Sequence, residues 1–231
     1  MRLVTFCAAG AVLIATPAAA QDLKGVWFAG GMVSSDSSGY AGMVRALPGA
    51  RLGKGLAVRG SIGAGEYEYE SDLGPTEARW EGLDVALVHQ TSGAWGWSNL
   101  SLGAGVKHTK LDPLDPDNES EGTRGDISVQ ADGGALSEDW RFNWLGAYAF
   151  DGEEYGLKLQ LTRAIGASAY RAGLEAGLQG DPNYQRTTAG VQVGRAFGQG
   201  RRYEMTVSAG ASRFRDTDTT GYGAVSLSHT F

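Results

Sequence analysis

Cysteine is nearly absent from this chain: Cys7 is the only one among 231 residues. Because no thiol follows it, disulfides, cysteine-ligated metals and thiol nucleophiles are excluded from the remaining sequence. The lack of thiols also suits a protein that passes through an oxidising compartment without forming disulfides.

Long apolar runs and an excess of basic residues are missing as well. No segment after Gln21 reaches the length of about 20 apolar residues that a membrane-spanning helix needs. Lys and Arg number 20 against 26 Asp and Glu, which gives a formal net charge of −6. An acidic chain repels a phosphate backbone, so no nucleic acid is expected as a partner.

Residues 1–20 have the three parts of a secretory signal peptide. Arg2 supplies the positive start, and the stretch from Leu3 to Ala15 is apolar or small throughout. An A-x-A site then ends at Ala20, immediately before Gln21. We therefore expect a cleaved leader and a single mature domain over residues 21–231.

What the sequence has in excess is glycine, with 36 residues that do not follow the G-X-Y period of collagen. Apolar residues recur at every second position through twelve segments of the mature chain. In the clearest segment, Tyr155–Arg163, Leu157, Leu159 and Leu161 alternate with polar residues. Most segments have about ten to fifteen residues, and a tilted strand needs about 9–11 residues to cross a bilayer.

The alternation predicts twelve strands. Their predicted bounds are Gly25–Ser34, Tyr40–Leu47, Gly55–Tyr69, Ala78–His89, Trp95–Thr109, Asp126–Ala135, Trp140–Phe150, Tyr155–Arg163, Tyr170–Leu178, Tyr184–Phe197, Arg202–Phe214 and Gly221–Phe231. In the third strand the phase breaks at Glu66-Tyr67-Glu68-Tyr69, which predicts either a bulge or the end of membrane burial.

The two faces of these strands distinguish a membrane barrel from a soluble sandwich. One face is apolar, and the other combines Gly, Ser and Thr with scattered charges, as a polar lumen requires. Aromatic residues gather at the strand ends, as in an interfacial girdle. The last strand alternates up to a terminal aromatic, Phe231, and resembles the closing strand of an outer-membrane barrel. We predict an all-β, antiparallel outer-membrane β-barrel of about 12 strands, surrounded by lipid and lipopolysaccharide.

The connections alternate in character, which supports an even strand count. The odd connections are acidic: Ser35–Gly39, Glu70–Glu77, Leu111–Gly125, Asp151–Glu154, Gly180–Asn183 and Arg215–Thr219. The even connections are mostly tight and contain glycine: Pro48–Lys54, Thr91–Ala94, Leu136–Asp139, Ala164–Ser168 and Gly198–Arg201. If both termini are periplasmic, the acidic loops face outward.

Few residues suggest site chemistry, and no cofactor or metal is expected. The acidic loop from Leu111 to Glu121 lacks the spacing of a calcium loop, so we interpret it as solvated, with weak divalent binding as the alternative. His108 and Thr109 could form a hydrolase pair, but neighbours on a strand point to opposite faces. The sequence therefore favours a protein without catalytic activity.

A group of charged residues is predicted to face the lumen: Arg59, Lys107, Lys158, Arg171 and Glu175. They could line a selective pore, or they could form an ion-pair network that fills a narrow interior. We favour the network, because a small barrel has little room beyond its own side chains.

Several short stretches together resemble the cellulose biosynthesis protein BcsS family of outer-membrane barrels. They follow one another along nearly all of the mature chain: Tyr40-Ala41-Gly42, Ala46-Leu47-Pro48-Gly49, Val58-Arg59-Gly60-Ser61, Trp95-Gly96-Trp97-Ser98-Asn99, Val129-Gln130-Ala131-Asp132-Gly133, Leu174-Glu175-Ala176-Gly177, Gly180-Asp181-Pro182-Asn183-Tyr184 and Gly221-Tyr222-Gly223 with Phe231. The resemblance implies an accessory role in the export, anchoring or surface organisation of cellulose. It also implies cellulose and other cellulose-secretion components as partners.

Three functions remain open from the sequence. A cellulose accessory protein is favoured, followed by a small-solute or glycan porin and then by a lipid-modifying enzyme. If the protein contacts glucan at its outer rim, the aromatic residues near the outward loops are the expected contacts: Tyr67, Tyr69, Trp80 and Tyr184.

The leader is directly testable. We expect the protein isolated from outer membranes to begin at Gln21, because the A-x-A site ends at Ala20. N-terminal sequencing and intact mass measure this. A mature protein that retained Cys7 would contradict the assignment.

Overall fold

The computed structural model describes residues 23–71, 74–116, 118, 120–181, 185–214 and 219–231. The predicted leader lies outside the described residues. None of the described residues forms a helix long and apolar enough to cross a membrane.

Twelve antiparallel strands form one closed barrel. They are β1 (Gly25–Val33), β2 (Ser37–Ala46), β3 (Gly55–Ser71), β4 (Gly74–Gly93), β5 (Gly96–Asp112), β6 (Gly122–Leu136), β7 (Trp140–Ala149), β8 (Glu154–Ala164), β9 (Tyr170–Gly180), β10 (Gln185–Phe197), β11 (Tyr203–Phe214) and β12 (Thr219–Thr230). Each strand pairs with the next in sequence, and β12 closes the sheet on β1. A short 3-10 turn, Gln199–Arg201, precedes β11. The predicted fold class, strand count and strand order are confirmed.

The strands on one side of the barrel are longer than the sequence indicates. β4 runs over 20 residues, beyond the predicted Ala78–His89, and pairs with β3 without interruption from Gly55↔Gln90 to Ser71↔Gly74. The predicted bulge is therefore wrong. The alternative explains the pattern: the strand leaves the membrane there, and Glu66 and Glu68 continue the outward-facing phase into solvent.

The outward face is apolar and the inward face is polar. In β8, Leu157, Leu159 and Leu161 are exposed on the outside, whereas Thr162 is buried inside. A surface that exposes a continuous band of such side chains requires a hydrocarbon environment. The start of β1 and the end of β12 lie at one end of the barrel, which we call the terminal end; the opposite end, called the loop end, carries the β5–β6 loop. We assign the terminal end to the periplasm, because β3, β4 and β5 extend furthest at the loop end, and outer-membrane barrels carry their longer structure outside the cell.

Aromatic side chains form part of a girdle at the terminal end. The ring centroids of Phe197 and Tyr203 are 5.3 Å apart, and those of Tyr203 and His229 are 4.2 Å apart. Trp27 packs edge-on against Tyr203 at 6.4 Å. His229 of the last strand therefore belongs to an interfacial aromatic cluster.

Glycine makes room for large side chains inside the barrel. A Cβ at Gly210 would lie 2.8 Å from the Tyr222 ring, and one at Gly190 would clash with the Tyr222 hydroxyl. Both positions therefore need glycine so that Tyr222 can cross the interior. On the adjoining strands β1 and β2, Gly42 makes the same allowance for Phe28. Close approach of this kind accounts for part of the glycine excess.

The apolar outward face predicts that a charge introduced on it at the centre of β8 destabilises the barrel. We expect Leu159→Arg to destabilise the folded barrel by about 2–4 kcal/mol, because the guanidinium would face lipid near the bilayer midplane. Folding into lipid vesicles, followed through the heat-modifiable gel shift, measures the effect. Leu159→Met is the matched control and should fold like the parent. An unchanged Leu159→Arg variant would contradict the assignment of the outer face.

Candidate functional site: the filled barrel interior

Ion pairs lie inside the barrel, some between neighbouring strands and some between distant ones. Among the described residues they join Arg59 to Asp84 at 3.0 Å, Lys107 to Glu154 at 3.6 Å, Lys158 to Glu175 at 3.3 Å and Arg141 to Glu204 at 3.0 Å. Each pair connects different strands. Paired charges can fill an interior that isolated charges could not, because each partner offsets the other's lost hydration.

Glu175 is the centre of one network. Its Oε1 accepts a hydrogen bond from the Tyr222 hydroxyl at 2.7 Å, and its Oε2 accepts one from Gln160 Nε2 at 3.3 Å. Gln160 also donates to Gln192 Oε1 at 3.0 Å. With Lys158, these contacts tie β8, β9, β10 and β12 together across the lumen.

A second network lies on the opposite wall. Gln90 donates to Asn99 Oδ1 at 3.3 Å, and Asn99 donates to Asp132 Oδ2 at 2.8 Å. Gln130 donates to the other Asp132 oxygen at 2.9 Å. All four side chains are buried, so this amide–carboxylate chain is a fixed part of the interior and not a flexible lining.

The structure places all five predicted lumen charges inside the barrel. Four of them belong to the ion pairs above, and the Arg171 Nη2 donates to the Asp139 carbonyl at 2.6 Å. This geometry corresponds to the ion-pair network favoured from the sequence. A role in selecting permeant solutes stays a prediction for these residues.

An aromatic cluster fills the β3–β5 side of the loop end. It contains Tyr67, Tyr69, Ala78, Trp80 and Leu111, with Phe214 packed against it, and we call it the outer cluster. Successive inward positions of β3 and β4 supply its rings. The outer cluster is the continuation of the interior above the membrane.

The β5–β6 loop folds down onto the outer cluster. The Tyr69 hydroxyl donates to Asp115 Oδ2 at 2.9 Å and accepts from Asn118 Nδ2 at 2.7 Å. Asn118 Oδ1 in turn accepts from the amide and hydroxyl of Ser120. Asp115, Asn118 and Ser120 are buried, so the expectation of a solvated loop is wrong for this part of it.

Three of the four predicted glucan contacts are buried and do not lie on the rim. Tyr67, Tyr69 and Trp80 are only 5%, 6% and 5% exposed. A polymer could touch them only after the β5–β6 loop had moved. Tyr184 lies outside the described residues. Glucan contact stays a prediction for all four.

A buried ion pair closes the other side of the loop end. Arg186, whose side chain is 0% exposed, lies 2.7 Å from Asp36 Oδ2 in the β1–β2 connection. Its Nε donates to Ser212 Oγ at 2.9 Å, and its guanidinium lies over the Phe214 ring at 5.4 Å. Burial raises the pKa of the Asp36 carboxyl, while the Arg186 charge acts to lower it.

Sequence reasoning missed the Asp36–Arg186 pair. The two residues are 150 positions apart, and only closure of the barrel between β12 and β1 brings them together. The only local signal was a single arginine on the polar face of the tenth predicted strand.

The terminal end is filled by apolar side chains. A buried cluster unites Leu23, Val26, Phe28, Val44, Leu52, Ala57, Val88 and Trp97. Leu52 enters from the β2–β3 turn, where its amide donates to the Leu23 carbonyl at 2.9 Å. The Gly53 amide donates to Gln90 Oε1 at 3.2 Å. The β2–β3 turn therefore packs into the terminal end of the barrel.

The remaining space inside the barrel is small. One cavity of about 210 Å³ lies against β7–β12 and is lined by residues that include Arg141, Asn143 and Gln192. Another of about 150 Å³ lies near the loop end beside Arg59 and Lys107. Both are below the about 300–1,000 Å³ typical of ligand pockets.

The remaining candidates for chemistry do not come together. His108 is exposed, and its Nδ1 lies 2.9 Å from Thr123 Oγ1, whereas Thr109 is buried on the opposite face. Within the described part of the chain, no three His, Cys, Asp or Glu side chains are grouped to hold a metal ion. Asp117 and Glu119 of the acidic loop lie outside that part.

An apolar outer surface around a polar, closed antiparallel sheet defines a bacterial outer-membrane β-barrel protein. The family model for cellulose biosynthesis protein BcsS matches residues 26–231. The chain therefore belongs to the BcsS family and is a protein associated with cellulose biosynthesis. The family resemblance seen in the sequence is confirmed.

Solved outer-membrane barrels share this fold at low sequence identity. The β domain of the Bordetella autotransporter BrkA is 14% identical, with a TM-score of 0.56, and the match covers 91% of this chain and 100% of that one. An outer-membrane channel from Pseudomonas putida F1 is 12% identical, with a TM-score of 0.53 and coverage of 90% and 95%. The KdgM porin is 9% identical, with a TM-score of 0.50 and coverage of 89% and 99%. A comparison with curated proteins found no match.

Docking of the β5–β6 loop predicts a raised pKa for the Tyr69 phenol. Burial, with a further contribution from the Asp115 carboxylate, raises the pKa of Tyr69 to about 12, although the Asn118 hydrogen bond opposes the shift. Because the folded pKa exceeds the ordinary value of about 10, Tyr69 stabilises the folded state below pH 10. That stabilisation is lost as the pH rises through about 12.

Difference absorbance at 295 nm between the parent and Tyr69→Phe isolates this phenol. We expect one tyrosinate transition near pH 12, and Tyr148→Phe, on the outward face of β7, is the matched control for removal of one tyrosine. A Tyr69 transition near pH 10 would mean that the loop is not docked on the phenol.

Proposed function

We propose that this protein holds or organises cellulose at the outer surface of the outer membrane, and that its barrel does not conduct the polymer. The observation that carries the proposal is the filled interior of a BcsS-family barrel. The β5–β6 loop and the outer cluster occupy one end, and the apolar cluster around Leu52 and Trp97 occupies the other.

Side-chain contacts inside the barrel support the same proposal. Barrels of about 8 strands are filled by their own side chains and barrels of about 16–18 strands leave a wide aqueous channel, so twelve strands lie between these two sizes. In this barrel the ion pairs Lys107–Glu154 and Arg141–Glu204 cross the interior between distant strands, and the Gln90–Asp132 chain lines one wall. A glucan passing through would have to break several of these buried contacts at once, each of which is costly to leave unpaired.

The protein's part in cellulose biosynthesis would be non-enzymatic under this proposal. Among the described residues, His108 Nδ1 lies 2.9 Å from the Thr123 hydroxyl, whereas the predicted partner Thr109 is buried on the opposite face. Hydrolysis needs an orienting group as well as a base and a nucleophile, and no hydrogen-bonded orienting group is found at His108 in this part of the chain. Replacing His108 with Ala should leave lipid composition unchanged; altered lipid products would favour the enzyme alternative.

A small-solute or glycan porin is the second candidate function. The cavity beside β7–β12, with the charges of Arg141, Lys158 and Arg171 around it, favours this alternative. The KdgM porin and the Pseudomonas putida channel have the same barrel architecture. Single-channel recordings in planar bilayers distinguish the two proposals, since a porin gives stable open-channel conductance and a filled barrel gives none.

The surface role predicts how cellulose is distributed. In cells that lack this protein, we expect total cellulose to be unchanged, with a larger share shed into the medium, because polymerisation and transport would not depend on this barrel. Cell-bound and soluble cellulose are measured separately after digestion to glucose. Reduced total cellulose with polymer trapped in the periplasm would instead indicate an export component.

Complementation makes the test specific to the outer rim. Wild-type protein should restore retention, and Tyr184→Ala should restore it less well if that residue contacts glucan. Leu114→Ala, an exposed change in another loop at the same end, is a matched control for loss of a large side chain. Equal retention by both variants would remove Tyr184 from the proposed contact surface.

A further inference from the structure

The two membrane edges of the barrel present different charges to lipid. Near the terminal end, outward-facing positions of the described strands carry Arg45, Arg163 and Arg195 and no carboxylate. Near the loop end, outward positions carry carboxylates beside the basic groups: Glu66, Glu68, Glu77, Arg79, Glu81 and Lys110. Three outward-facing arginines at the periplasmic edge of the membrane attract anionic groups.

Two of these arginines lie over aromatic rings. The Arg163 guanidinium is 5.5 Å from the centroid of the Trp140 ring, and the Arg195 guanidinium is 5.1 Å from that of the Tyr170 ring. Trp140 and Tyr170 are themselves exposed on the outer surface. Each pair is formed by directly opposed residues on neighbouring strands, β7 with β8 and β9 with β10.

The strand register sets the two pairs side by side. Arg163 is opposite Ala172 on β9, which is two positions from Tyr170 on the same face of that strand. Arg163 on β8 and Arg195 on β10 therefore lie on strands that are two spacings of about 4.8 Å apart. The aromatic girdle lies at the same level further around the barrel and contains Phe197, Tyr203 and His229. The pairs thus lie where lipid headgroups meet the hydrocarbon.

The chemistry of these pairs suits a phosphate. A guanidinium that lies over a ring keeps N–H donors at its edge, and those donors match phosphate oxygens in a two-bond geometry. The ring fixes the guanidinium and also packs against the acyl region below it. Arg163 has one competing carboxylate, Asp139 in the β6–β7 turn at 3.8 Å, and both side chains of that contact are more than half exposed. Such an exposed contact is weak.

We propose that the Trp140–Arg163 and Tyr170–Arg195 pairs form a binding site for phospholipid phosphate in the periplasmic leaflet of the outer membrane. The site fixes the height and orientation of this side of the barrel in the bilayer. It is independent of the cellulose role, because it lies on the lipid-facing surface at the end opposite the outward loops.

Retention of phospholipid by purified protein tests the proposal. Full-length mature protein in detergent is titrated with dioleoyl phosphatidylglycerol, and bound lipid is counted by native mass spectrometry. We expect Arg163→Gln and Arg195→Gln each to weaken phosphatidylglycerol binding about fivefold, and the double variant more strongly. Arg163→Lys and Arg195→Lys should give intermediate losses, since they keep the charge but lose the planar donor geometry.

The control is Arg213→Gln, which removes an exposed, outward-facing arginine near the loop end of β11. It should bind phosphatidylglycerol like the parent. All variants are first checked for folding by the heat-modifiable gel shift. Equal lipid retention by folded parent and folded Arg163→Gln/Arg195→Gln double variant would overturn the proposal, as would an equal loss in Arg213→Gln.

Discussion

Closure of the sheet between the first and last strands is the constraint on which the rest of this structure depends. The β1 and β12 strands pair from Val26↔Thr230 to Val33↔Gly223, and the Phe231 carbonyl accepts from the amides of Lys24 and Gly25. In a bilayer no water is available to satisfy an open strand edge. Phe231 adds main-chain hydrogen bonds to this closure, and its ring packs where Gly25 has no side chain.

Closure also determines what can fill the interior. A circle of twelve strands brings together side chains that are far apart in sequence, such as Asp36 with Arg186 and Arg141 with Glu204. Low-polarity surroundings would penalise any one of these charges alone, so they occur as pairs with further hydrogen bonds. Glycine on neighbouring strands admits the larger rings between them. The result is a packed interior in which the described residues leave small cavities of about 210 and 150 Å³.

How much of the structure can be predicted from the sequence depends on whether the interactions are local or join residues far apart in the chain. Alternation is a local property, and it predicted twelve strands, their order and the two faces correctly. The same rule failed at Tyr67 and Tyr69, because apolar residues change from the lipid side to the interior once a strand rises above the membrane. The sequence predicted this change only as one of two alternatives, because it depends on unequal strand lengths: β2 begins at Ser37, opposite Glu66, and β3 continues beyond it.

The interior contacts were less predictable than the strands. The lumen charges were identified as inward-facing residues, but their partners lie on other strands and depend on register. Tyr222 was seen only as part of a motif of the closing strand, although its hydroxyl anchors Glu175 across the barrel. The docked β5–β6 loop was interpreted as solvated because its acidic composition gave no sign that Asp115 would be buried against Tyr69.

These features give one physical description of an outer-membrane protein of cellulose biosynthesis. Its lipid-facing surface holds it in the membrane, its interior is occupied by its own side chains, and its β5–β6 loop is docked on the outer cluster. Under the proposed function, the polymer would meet the outer rim of the barrel and not its lumen.

The most direct test is the permeability of liposomes that contain the folded protein to neutral sugars of increasing length. Osmotic swelling is measured with glucose, cellobiose and cellohexaose, with protein-free liposomes as the baseline. A filled barrel predicts that cellohexaose enters no faster than it enters protein-free liposomes. Rapid entry of cellohexaose would contradict the account and would show that a glucan chain can pass through the barrel.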